Sequence, residues 1–207
     1  MAAKERKSEN YPGELVVEGY SDLLFYAEVL ETVGKHEQVF IKELGGKSGL
    51  NRKLEAFVTP ALLARKTAIA FVFDADESHD ATRQSLENLL SNLTGQAVSE
   101  GKWTQGIPKI GLMIVPGAGA KGEIETLVWQ SWSSNPDNAG QKKCIQDFVT
   151  CMHASNVKPQ SPDKGLIGAL LALKNDEDPR LGPGARAKVF DLNSPHLQPL
   201  RQFLTGF

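Results

Sequence analysis

The sequence predicts an α/β protein with a Rossmann-like sheet of about four parallel strands flanked by helices, and a mainly helical C-terminal extension. Two observations predict it. Short apolar, β-rich runs alternate four times with stretches long enough for crossover helices. Three of the four runs also deliver acids at or just beyond their C-terminal ends, where ligands bind in open parallel sheets.

The elements follow in order. MAAKERKSENYPG is polar and reads as a flexible tail over residues 1–12. Glu14 to Glu18 is an apolar strand ending on an acid and a glycine. Ser21 then caps a helix that Gly34 stops. Gln38 to Leu44 alternates as a strand and runs into Gly45-Gly46-Lys47-Ser48-Gly49. Leu50 to Arg65 reads as helix, with Pro60 either breaking it or opening a second short one. Thr67 to Asp74, TAIAFVFD, has the strongest strand signal in the chain. A helix from Glu77 to Leu93, a polar insertion over 96–108 around Trp103, a strand from Lys109 to Pro116 and a helix from Glu123 to Trp132 complete an α/β domain over 13–133. Beyond a turn at Ser133–Asp137, the extension over 134–207 reads as helices at 138–155, 163–174 and 195–205. DEDPRLGPG reads as a loop and AKVFDL as a short extended piece.

Composition bounds the function. The chain has 207 residues, 41% hydrophobic and 23% charged, enough for a full core without staples. No apolar run approaches a membrane span, and the N-terminus lacks a signal peptide's apolar stretch, so a cytoplasmic protein is expected. Net charge is −2, which argues against a global basic surface for nucleic acid but leaves room for contact through bound metal. Cys144 and Cys151 fall two turns apart on a predicted helix, about 10 Å by helical rise, too far for a disulfide and suited to packing. The basic residues of the extension, Lys158, Lys164, Lys174, Arg180, Arg186 and Lys188, read as solvated surface or as an added substrate-binding patch.

Chemistry concentrates in the acids. Glu18 ends the first strand with Asp22 one turn later, Asp74 and Asp76 end the third, and Glu123 and Glu125 follow the fourth. Converging carboxylates repel, and some must protonate unless a cation joins them. Oxygen ligands without paired cysteines or clustered histidines point to Mg²⁺ or Mn²⁺. Taken singly, each acid has a plainer role: Asp76 or Ser78 would cap the next helix, and Asp22 would orient a loop.

LVVEGYSDLLFY followed by AFVFDADES resembles the Toprim domain shared by topoisomerases, bacterial primases and OLD-type nucleases. More closely, the chain is similar to a family of small stand-alone Toprim-like proteins of unknown function, from the first strand to PHLQPLRQFLTGF. The general motifs cover residues 14–77, with weaker support at 109–125. The resemblance implies a Toprim fold, with Glu18 in acid/base chemistry or metal binding and Asp74 and Asp76 holding Mg²⁺. It further implies Glu125 as an added ligand, with Asp22 matching the family's Asp. Nucleic acid is the implied partner, with an ATPase subunit as the implied protein partner.

The remaining motifs are weaker. Gly117-x-Gly119-x-x-Gly122 lacks the following acid-tipped strand of a dinucleotide site; it reads as a tight turn, or as a phosphate loop with Lys121. Gly46-Lys47-Ser48 fails as a P-loop because Ile41 stands where the earlier glycine belongs, although Lys47 and Gly19 remain phosphate-contact candidates. Nothing supports a nucleophilic triad. Trp129 and Trp132 read as core. Two functions follow: a metal-dependent nuclease or phosphoryl-transfer protein, or a non-catalytic metal- or phosphate-binding module within a larger complex.

Overall fold

The computed structural model describes residues 7–117, 119–159 and 161–207. Four strands, β1 (Gly13–Val17), β2 (Val39–Glu43), β3 (Ala68–Asp74) and β4 (Lys109–Val115), form one parallel sheet in the order β2-β1-β3-β4. Alternation along the strands divides the core. Leu15, Val17, Ala70, Val72, Met113 and Val115 face one layer, while Val16, Ile69, Phe71, Phe73, Ile110, Leu112 and Ile114 face the other. Both faces are apolar because helices cover both, as parallel sheets require.

The second layer holds α2 (Leu50–Phe57), α3 (Pro60–Arg65) and α4 (His79–Thr94), through Leu54, Leu62, Leu86 and Leu90. Pro60 opens a new helix rather than kinking an old one. It sits in the first turn of α3, where no N–H is needed, and the Thr59 hydroxyl accepts from Leu62 N at 3.2 Å. Ser78 caps α4, its hydroxyl accepting from Ala81 N, so Asp76 is not spent on that cap.

The first layer is larger. It joins α1 (Tyr20–Thr32) and α5 (Ile124–Ser133) to helices of the C-terminal third: α6 (Ala139–Ala154), α7 (Pro162–Lys174), α8 (Leu181–Arg186) and α9 (Gln198–Thr205). Trp129 and Trp132 lie buried in it, with ring centroids 5.4 Å apart. The last turn of the chain also docks on the 96–108 insertion. Trp103 stacks on Phe203 at 5.2 Å and meets Phe207 edge-on at 5.1 Å, and its indole N–H donates to Phe203 O.

Three details of the extension and one of the tail differ from the sequence expectation. DEDPRLGPG runs into α8, whose first four residues include two glycines and a proline. Gly182 explains the exception: a Cβ there would sit 2.2 Å from Leu24 Cβ, so only glycine allows α8 to press against α1. Pro183 falls in the first turn, where its missing N–H costs nothing. AKVFDL forms a turn instead of an extended piece, burying Phe190 and Leu192 with Lys188 at φ 59°. Cys144 and Cys151 are exposed rather than packed, because α6 buries only Ile145. At the N-terminus, Ser8–Asn10 forms a 3₁₀ turn whose Ser8 carbonyl accepts from Lys66 Nζ at 2.6 Å; residues 1–6 lie outside the described residues. No described helix is long and apolar enough to cross a membrane.

Candidate functional site

The strand order places a switch point between β1 and β3, since the chain leaves β1 toward β2 on one side and returns to β3 on the other. The crevice beyond the carboxyl ends of those strands is where open α/β sheets bind ligands. Glu18 and Asp74 occupy it. Glu18 is 8% exposed, and its Oε1 accepts from Asp74 N at 3.0 Å, so the two strand ends are stitched together by the acid itself. Asp74 Oδ1 accepts from Ile124 N at 3.0 Å, tying β3 to the start of α5.

Asp76 lies just beyond, exposed, at φ 53°. That left-handed conformation costs about 1 kcal/mol for a residue with a Cβ. Two backbone hydrogen bonds hold it there, Asp76 N to Gly122 O at 2.8 Å and Gly122 N to Asp76 O at 2.7 Å. The glycine-rich loop after β4 therefore clamps the Asp-x-Asp turn. Gly122 is confined to glycine by φ 126° and by Thr126 Oγ1, 2.4 Å from where a Cβ would stand. Ala118 of that motif lies outside the described residues.

Two lysines enter from opposite sides. Lys47, on the loop between β2 and α2, is 3.4 Å from Glu18 Oε1 and ion-paired with Asp76 Oδ2. Lys164, on α7, pairs with Glu123 Oε2 at 2.5 Å, and the Ser161 hydroxyl donates to Glu123 Oε1. The surface reading of Lys164 is thus corrected: α7 folds over α5 and carries the lysine to the acidic edge. No spacing signal could have found it. The buried Glu123, read from sequence as a minor acid, is what holds it.

The other candidates divide. Asp22 Oδ2 accepts from Gly19 N at 2.9 Å, a capping contact that occupies the Gly19 amide. Glu125 is half-buried in the first turn of α5. Lys121 is exposed on the clamp loop.

Electrostatics binds these residues into one unit. Burial pushes the Asp74 carboxyl well above its usual range, and the charges of Glu18 and Asp22 push it further. Burial also raises Glu18, opposed by Lys47 and by the Asp74 N–H, and raises Asp22, opposed by the Gly19 N–H and Lys164. Glu125 is raised to about 7, by burial against the pull of Lys164. Beneath them lies Tyr26, fully buried and held neutral by burial and by the charges of Asp74, Asp22, Glu18 and Glu125.

The donor set suits a hard cation: it is oxygen only, and burial disfavours the charged forms of Glu18, Asp22, Asp74 and Glu125. Among the described residues no three His, Cys, Asp or Glu side chains form a ready-made cage. Mg²⁺ does not demand one, since it binds through one or two carboxylates and keeps waters or substrate oxygens in its remaining positions.

No curated protein matches the chain. Among solved structures it is similar to the C-terminal region of the OLD protein of Xanthomonas campestris pv. campestris. The mercury-phased structure aligns at 12% identity and TM-score 0.44, covering 95% of each chain. The platinum-phased structure aligns at 12% identity and TM-score 0.46, covering 95% of this chain and 93% of that one. At that level the likeness says nothing of chemistry. A family model, described as "Protein of unknown function (DUF3226)", matches residues 12–207. Nearly the whole chain is included in that match, and the protein belongs to the DUF3226 family.

Proposed function

We propose that the carboxyl edge is a Toprim-like, divalent-metal-dependent phosphoryl-transfer site that cleaves nucleic-acid phosphodiesters. The observation that carries this reading is the meeting of Glu18 and Asp74 at the β1/β3 switch point, both raised by burial and surrounded by further acids. The order of the motifs, Glu-Gly-x-x-Asp and then Asp-x-Asp, supports it.

Asp74 and Asp76 would hold Mg²⁺ or Mn²⁺, with Glu125 as a further ligand. When bound, such an ion polarises a phosphoryl oxygen and offsets developing charge. The chain's own residues do the rest. The Glu18 carboxylate, made more basic by burial, would accept a proton from the water that attacks phosphorus as the bond to the leaving sugar oxygen breaks, and its contact with Asp74 N fixes its position. Lys47 balances Glu18 and Asp76 in the absence of substrate and would turn to a phosphate oxygen when one binds. Lys164 performs the same balancing beside Glu123 and Glu125.

A second reading has its own support. With no ready-made acid cage among the described residues, and with Lys47 already supplying positive charge, the edge would also serve as a non-catalytic metal- or phosphate-binding module within a larger complex, such as one with an ATPase subunit. Cleavage of labelled single- and double-stranded DNA and RNA, with Mg²⁺, Mn²⁺ or EDTA, separates the two. The enzyme reading expects metal-dependent cleavage reduced at least about 100-fold in Glu18→Gln and Asp74→Asn. Metal binding without cleavage of any substrate supports the module instead.

A further inference from the structure

At the rim of the acidic edge stands a side chain that the proposed chemistry leaves unused. Tyr20 follows Glu18-Gly19 directly, as the first residue of α1, and 57% of it is exposed. Arg180 lies against its ring, the guanidinium carbon 5.8 Å from the ring centroid, within cation–π range. The pairing is built by the fold. Glycine at 182 lets α8 press onto Leu24, and this close approach delivers Arg180, the residue before α8, to the start of α1. Asp178 then pins the guanidinium with contacts of 2.6 Å to Nε and 2.5 Å to Nη2. The result is a held aromatic ring, backed by a guanidinium ion-paired with Asp178, two residues along the chain from Glu18.

We infer that Tyr20, backed by Arg180, is a stacking platform for an unpaired nucleobase next to the phosphate held at the acidic edge, so that the site takes single-stranded nucleic acid. This rests on the phosphodiester reading above. Three features favour a base over a backbone contact. The ring is an uncharged aromatic surface, and every base offers a π-face to it. Asp178 engages Nε and Nη2 of Arg180 and so holds the guanidinium against the ring. The chain's net charge of −2 gives no overall basic surplus for binding a duplex by charge alone. Paired bases are buried in their own stack, so only an unpaired one can lie on the ring.

The test is fluorescence anisotropy with labelled 12-nucleotide DNA and RNA single strands, an abasic strand of equal length and a duplex, in Ca²⁺ to slow cleavage. Wild type, Tyr20→Ala, Tyr20→Phe and Asp74→Asn are compared. The platform predicts that wild type binds base-bearing strands about tenfold or more tighter than the abasic strand. Tyr20→Ala falls to the abasic level with an unchanged salt slope, and Tyr20→Phe keeps wild-type affinity. Because Tyr20 is exposed, folding is not at stake. The relative affinities of DNA and RNA show which sugar the strand carries. Equal binding of base-bearing and abasic strands, or a Tyr20→Ala affinity equal to wild type, overturns the platform. If Asp74→Asn alone then loses binding, the acidic site stands without it. If no strand binds and Asp74→Asn equals wild type, the phosphodiester reading fails and the platform with it. Competition by thymidine monophosphate as strong as by the oligonucleotide overturns the strand assignment in favour of a free nucleotide.

Discussion

The two ends of β1 each carry a buried glutamate, and the two have opposite surroundings. Glu14, at the amino end, is 1% exposed, paired with Lys66 at 2.7 Å, and accepts from the Ser8 hydroxyl at 2.6 Å. Lys66 in turn donates to the carbonyls of Ser8 and Tyr11. Every charge there has a partner, and the group ties the N-terminal segment to the sheet. Glu18, at the carboxyl end, shares its crevice with Asp74, Asp22 and Glu125, and its cation is a lysine whose side chain is 36% exposed. One end is a closed ion pair. The other is a cluster of acids held together by the fold, and under the proposed function it would receive a cation or a phosphate-bound ion.

The largest expected effect lies at the closed end. Lys66→Ala strands a buried carboxylate and should cost about 3–5 kcal/mol in urea unfolding, with no effect on the response to metal. A loss below 1 kcal/mol would mean that the two ends are less different than their geometry. At the open end the sign reverses. Asp74→Asn and Glu18→Gln remove charges that the fold resists, so each should stabilise the metal-free protein at pH 8, by about 1–2 kcal/mol. Asparagine can still accept from Ile124 N, which keeps the substitution from breaking the β3–α5 tie.

Glu125→Gln gives a smaller effect with a pH signature. Its carboxyl is raised from 4.5 to about 7, so between those values the folded chain binds more protons than the unfolded one, and stability falls as pH rises. The variant should match wild type below pH 4.5 and exceed it above pH 7. Partial exposure limits the gain to about 1 kcal/mol. A pH-independent difference in thermal melting would assign the effect to packing. The smallest effect is expected from Lys47→Met, which removes a half-exposed countercharge: below about 1 kcal/mol of lost stability without metal. Mg²⁺ should stabilise this variant more than wild type in a thermal-shift titration, since its acids lack their resident cation.

Much of the open end is legible from sequence, because it is local. An apolar run ending in Glu-Gly and another ending in Asp-x-Asp specify both the strands and what stands at their tips. Parallel pairing then brings the tips together. The extension is less legible, for reasons visible in its residues. Leu181–Arg186 carries the signals of a loop, and only the close approaches of Gly182 to Leu24 and of Gly184 to Leu171 make its glycines suit a helix. Lys164 resembles its solvated neighbours until α7 packs on α5 and Glu123 takes it up. Cys144 and Cys151 show the converse: correct helical spacing, on a face that meets solvent. The closed end carries no local signal for a similar reason, since Lys66 and Glu14 meet only when β1 and β3 pair.

The central claim, that the excess charge at the carboxyl end of β1 and β3 exists to receive a divalent cation, is tested most directly by melting wild type and Asp74→Asn at pH 8 across a Mg²⁺ or Mn²⁺ titration. Wild type should start lower and gain stability with metal, by about 2.7 kcal/mol at a hundredfold excess over its dissociation constant, while Asp74→Asn starts higher and stays level. A wild type indifferent to both ions, or an Asp74→Asn variant that gains as much as wild type, would contradict it.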